Sequence, residues 1–90
     1  MKVSVIGAGN MGSGFVKQLA AAGHQVFVTA RDSAKAEAVA KANGATAVDA
    51  KTAATADLIV LATGYADAVS ALQSLGDVSG KTVIDITNPL

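Results

Sequence analysis

Three glycines at fixed spacing, Gly7, Gly9 and Gly12, stand between an apolar run and a helix-forming stretch, and they restrict the fold more than any other feature. The run before them, residues 3–6, reads as a strand buried on both faces, as in a parallel sheet. After them, over residues 10–22, Met11, Phe15, Leu19 and Ala22 recur at steps of three or four. That spacing predicts one face of a helix, with Gly23 as its left-handed stop. A strand that passes straight into a helix aims the first-turn amides and the positive end of the helix dipole at the turn, which makes it a seat for an anion. Gly7 permits the tight turn, Gly9 presents no β-carbon to a diphosphate, and Gly12 lets the helix lie close to the sheet. Glycines serving only a tight turn are the alternative. The motif heads a βαβ unit about 30 residues long, which favours the binding reading, with Asn10 and Met11 supplying further main-chain amides.

The remainder alternates in the same way. Residues 26–28 form a β-branched and aromatic strand, and Asp32 or Ser33 can cap a second helix that ends near Asn43 and Gly44. Residues 46–48 read as a weak third strand, 51–56 as a short helical turn, and 58–62, the most apolar run, as a central strand. A helix is expected over 66–75 and a fifth strand over 82–86. This alternation predicts an α/β fold, a Rossmann-type doubly wound parallel sheet of five strands in the order 3-2-1-4-5 with helices on both faces.

The 90 residues suffice for one domain, and 51% hydrophobic content marks a chain that folds. Seven basic residues balance seven acidic ones, so no electrostatic footprint for nucleic acid or an anionic membrane exists. There is no cysteine, which removes disulfides, thiolate nucleophiles and iron–sulfur sites and fits a reducing compartment. With no apolar stretch of about 18 residues and no leader-like start, the expectation is a soluble, cytoplasmic protein.

The tip of the second strand is where an adenosine ribose should lie. A site for NAD usually has Asp or Glu there for the 2′-hydroxyl. This chain has Thr29-Ala30-Arg31-Asp32-Ser33, with Ala30 at the tip and its only arginine just after it. A 2′-phosphate repels a carboxylate and attracts a guanidinium, so Arg31 favours NADP(H), with Thr29 and Ser33 as hydroxyl donors and Lys35 as a more distant charge. Asp32 either caps the second helix, the preferred reading, or contacts the ribose and admits NAD. Arg31 as a solvated loop charge is the bland alternative.

These residues, together with Gly23-His24-Gln25-Val26 and Asp85-Ile86-Thr87-Asn88-Pro89-Leu90, resemble the N-terminal domain of the coenzyme F420-dependent NADP oxidoreductase family over essentially the whole chain. The resemblance implies a domain that holds NADP(H) while hydride passes between its nicotinamide and F420 or a flavin lying against a separate C-terminal domain. It places Gly9, Asn10 and Met11 at the pyrophosphate and Arg31 at the 2′-phosphate. Thr63, Gly64 and Tyr65 then lie beside the nicotinamide ribose, and Asn88 and Pro89 near the nicotinamide. Tyr65 could instead pack over the following helix, and Asn88 could only cap a turn. Family members commonly carry Ser-Arg-Arg where this chain has Ala30-Arg31-Asp32, a departure that weakens the preference for NADP. Asp85 and His24 read as structural.

No lysine, histidine or cysteine can be placed at the carboxyl edge, so a carbonyl reduction lacks its proton donor here. Either another domain supplies it, or the reaction is hydride exchange between cofactors. The apolar fifth strand near the end of the chain calls for further covering structure, so a C-terminal substrate or dimerisation domain after residue 90 is expected, with a homodimer as the longer assembly. On that expectation the chain alone turns over nothing. Two other readings stay open: a non-catalytic module that senses the NAD(P)H pool, and a binder of another nucleotide such as S-adenosylmethionine.

Overall fold

A computed structural model describes residues 1–7, 9–62, 73, 76 and 80–85. The element order is β1 (Lys2–Ile6), α1 (Asn10–Ala21), β2 (Gln25–Thr29), α2 (Ser33–Asn43), β3 (Thr46–Ala47), α3 (Ala50–Ala53), β4 (Leu58–Leu61) and β5 (Thr82–Asp85). The five strands pair in parallel in the order β3-β2-β1-β4-β5. Parallel neighbours require crossovers, and two consecutive right-handed crossovers put α1 and α2 on one face. The return from β3 to β4 then carries α3 to the other.

Each face has its own apolar core. Val3, Val5, Val26, Val28 and Val60 meet Val16 of α1 and Ala36 and Ala40 of α2. Ile6, Ile59 and Leu61 meet Ala53 of α3 on the opposite side. Small side chains on the helices against β-branched ones on the strands let the layers approach closely without aromatic bulk. Ser4 is the buried polar side chain of β1, and its hydroxyl donates to the Ala53 carbonyl at 2.6 Å, tying α3 to the sheet.

The face that α1 buries differs from the expected one. Val16 is 0% exposed, whereas Phe15 is 38% exposed and Ala22 is on the surface. The inward line runs Gly12, Val16, then Leu19 and Ala20, the last two only partly buried. Gly12 sets this phase: it abuts β1's end, and the residue one turn further on must follow it inward.

Helix ends follow their local chemistry. Gly23 has φ +91°, its amide donates to the Ala20 carbonyl at 3.1 Å, and the His24 amide donates to the Leu19 carbonyl at 3.2 Å. This paired arrangement closes α1 just after Ala21. Asp32, rather than Ser33, caps α2, and Gly44 with φ 71° ends it. The third helix spans Ala50–Ala53 instead of 51–56, because Asp49 caps it one residue earlier than expected. β3 stops at Ala47, although the Val48 amide still donates to the Val28 carbonyl at 2.9 Å. β5 is described over Thr82–Asp85, and residue 86 of the expected strand, like the expected helix over 66–75 but for residue 73, lies outside the described residues. Val83 and Ile84 on this edge strand are 36% and 44% exposed. Among the described residues, no helix is long and apolar enough to cross a membrane.

Candidate functional site

The carboxyl ends of the three inner strands are level. Ile6 is in register with Thr29 on one side and Leu61 on the other. Beyond these pairs the ladder runs on by one bond each way: the Gly7 amide donates to the Thr29 carbonyl and the Ala62 amide to the Ile6 carbonyl, both at 2.8 Å. Gly7, Thr29 and Ala62 therefore share one edge, at the point where strand order reverses between β1 and β4.

The three glycines meet different demands there. Gly7 has φ +114°, a backbone that side chains rarely adopt. Gly12 is buried, and a β-carbon on it would overlap the Gly7 carbonyl oxygen and stand 3.5 Å from the Ala62 β-carbon. Gly9 has neither constraint. Its φ of −77° and ψ of −171° are ordinary extended values, and a β-carbon on it would have nothing within 4 Å. The fold itself thus gives no reason for glycine at position 9; the space outside it is open.

Gly9 is also the N-cap of α1. The Ser13 amide donates to its carbonyl at 2.8 Å, so the helix starts at once, and among the described residues no side chain caps it. No acidic residue lies in its first turn. Helix geometry leaves the amides of Asn10, Met11 and Gly12 without intrahelical acceptors, and the helix dipole adds a partial positive charge. An uncapped helix start beside open space suits a phosphate group.

Thr29 ends β2 half-buried, and Arg31 and Ser33 follow it, exposed, after the strand tip. Asp32 is turned to the helix: its Oδ1 accepts from the Ala34 amide at 3.0 Å and the Lys35 amide at 3.3 Å. His24 lies at the far edge, just before β2. The side chains of Asn10 and Met11, and all of Thr63, Gly64, Tyr65, Asn88 and Pro89, lie outside the described residues.

The sequence reading missed the neighbours of this strand tip. An open cleft of about 300 Å³ is lined by Ala30 and Ser33 together with Glu37 of α2 and Val48 and Asp49 after β3. The signal was available, because β3 runs parallel to β2 and must deliver the residues after it to the same edge. Asp49 is occupied: it accepts from the Thr52 amide at 2.8 Å. Hydrogen bonds from the Thr52 side chain and amide hold its carboxyl below the ordinary carboxylate value.

A model of the family described as NADP oxidoreductase, coenzyme F420-dependent, matches residues 2–89. An imine reductase from Pseudomonas sp. is 32% identical with a TM-score of 0.81, over 97% of this chain and 32% of that one. A structure described as an F420-dependent NADP reductase from Arthrobacter sp. is 29% identical with a TM-score of 0.88, over 100% of this chain and 46% of that one. A reductive aminase from Aspergillus terreus, solved in complex with NADPH, is 26% identical with a TM-score of 0.82, over 97% of this chain and 32% of that one. The chain thus spans between about a third and a half of the length of these solved relatives. No curated protein sequence matches it.

Proposed function

We propose, from the premise that the chain belongs to the coenzyme F420-dependent NADP oxidoreductase family, that it is the dinucleotide-holding part of an oxidoreductase and binds NADP(H) at the carboxyl edge of its sheet. Gly9 carries the proposal. It is a glycine with an unstrained backbone, nothing within 4 Å of its absent β-carbon, and an uncapped helix start beneath it. Close approach of a ligand's phosphates to the main chain accounts for all three features.

In this reading the amides around Gly9, Asn10, Met11 and Gly12 hold the pyrophosphate, and Gly7 shapes the turn that presents them. Arg31 holds the 2′-phosphate, with the hydroxyls of Thr29 and Ser33 beside it. Thr63, Gly64, Tyr65, Asn88 and Pro89 serve the nicotinamide half, as the family resemblance implies. Bound NADPH would supply hydride. The protein's contribution is orientation: fixed main-chain dipoles at one end and a guanidinium at the other set where the far end of the dinucleotide lies. The hydride acceptor, F420, a flavin or a small imine-like or carbonyl substrate, is placed against chain beyond the part matched here. That agrees with relatives two to three times as long.

Calorimetric titration with NADPH, NADH and S-adenosylmethionine, repeated on Arg31→Ala, tests this. NADPH should bind the unaltered protein, and Arg31→Ala should lose roughly 1.5–3 kcal/mol for NADPH with little change for NADH. Equal losses for both dinucleotides would remove Arg31 from the 2′-phosphate. Binding of S-adenosylmethionine alone would overturn the assignment.

A further inference from the structure

The first two helices to start at the carboxyl edge, α1 and α2, begin differently. Among the described residues no side chain caps the start of α1 by a hydrogen bond, whereas α2 is capped by its own Asp32. An acidic residue next to Arg31 could in principle accept a hydrogen bond from a ribose 2′-hydroxyl, which would favour NADH. The geometry directs it elsewhere: one oxygen, Oδ1, accepts from both the Ala34 and the Lys35 amides. The anion seat of α2 is therefore filled by the chain itself, and a 2′-phosphate at this strand tip has to rely on side chains. Yet the capping carboxylate remains exposed, next in sequence to Arg31. The helix dipole offsets that charge only in part.

We infer that Asp32 is a specificity-determining residue: by holding a negative charge beside Arg31 without touching either cofactor, it limits how strongly the protein prefers NADPH to NADH. The inference rests on the dinucleotide reading above. A 2′-phosphate near the strand tip feels the field of Arg31 reduced by that of Asp32, and a ribose with a free 2′-hydroxyl feels neither strongly. Charges this near to each other at a water-exposed surface alter affinities by small factors, and salt screens them.

Asp32→Asn keeps an acceptor for both amides and removes the charge, and Asp32→Ser provides a second uncharged cap. Each variant and the unaltered protein are titrated with NADPH and NADH at low and at high salt. The expected result is NADPH affinity raised about two- to tenfold at low salt, NADH affinity changed by less than about twofold, and a gain that shrinks at high salt. An unchanged or lowered NADPH-to-NADH ratio in both variants, with thermal midpoints close to the parent's, overturns the inference while leaving dinucleotide binding intact. An equal gain for both cofactors does so too. If the unaltered protein binds neither dinucleotide, the reading beneath fails and the inference fails with it.

Discussion

The Gly7 carbonyl oxygen occupies the position next to Gly12 that any β-carbon there would need. The two residues are joined by the strand-to-helix turn, so neither can retreat without tilting α1 off the sheet. Gly12→Ala should therefore destabilise the protein by about 1–3 kcal/mol, the usual cost of overpacking a close contact. A drop in the urea midpoint checks this, and a midpoint at the parent value would show that the contact is slack.

Gly9→Ala should behave in the opposite way. Its backbone suits any residue and its surroundings are open. Stability should stay within about 0.5 kcal/mol, as for ordinary surface changes, while NADPH affinity falls at least about tenfold. Thermal melts and titrations on one preparation separate the two effects. Undiminished affinity would remove the phosphates from this position.

Asp32 gives a stability prediction independent of any ligand. Asp32→Ala leaves the amides of Ala34 and Lys35 without their cap. Loss of about 1 kcal/mol is expected, or a melting temperature lower by about 4–8 °C for a domain of this size. Asp32→Asn and Asp32→Ser should retain most of that. If all three fall alike, the carboxylate's charge and not its capping bond is what stabilises α2.

Asp49 links stability to acid. Hydrogen bonds from Thr52 depress its folded pKa below the ordinary value of 3.8. Its contribution is therefore present above that ordinary value and is lost as pH falls through the folded one. The advantage of the parent over Asp49→Asn in urea unfolding should be visible near neutral pH and shrink toward zero on acidification below about pH 4. An advantage that stays constant across that range would mean that the Thr52 bonds do not distinguish the charged from the neutral carboxyl.

Much of this architecture could be read from residue order. Alternating apolar runs and glycine stops led to five parallel strands in the observed order, and the separate tasks of Gly7 and Gly12 followed from spacing. The phase of α1 could not be read the same way. Phe15 and Val16 are both apolar, so periodicity admits either inward, and a steric fact about Gly12 and Gly7 decides between them. The start of α3 lies one residue before the expected one, because the Asp49 side chain, which apolar spacing does not register, caps that helix. At the candidate site, the glycine turn was legible because the tight turn and the close helix approach dictate Gly7 and Gly12. The cleft beside Ala30 and Ser33 was not, since Val48 and Asp49 reach it from an element distant in sequence.

The buried bond from Ser4 to Ala53 bears on how the molecule breathes. A four-residue helix such as α3 cannot persist alone, because nucleation costs more than one turn returns. It is held by the Asp49 cap at one end and by the Ser4 hydroxyl and the buried Ala53 methyl at the other. Its partner, Ser4, sits in β1, which pairs with both β2 and β4 at the centre of the sheet. Fraying of α3 therefore strips a hydrogen bond from the interior of that sheet, so its backbone amides should trade hydrogen for deuterium in step with those of β1 and not ahead of them, and this turn should behave kinetically as part of the deepest layer.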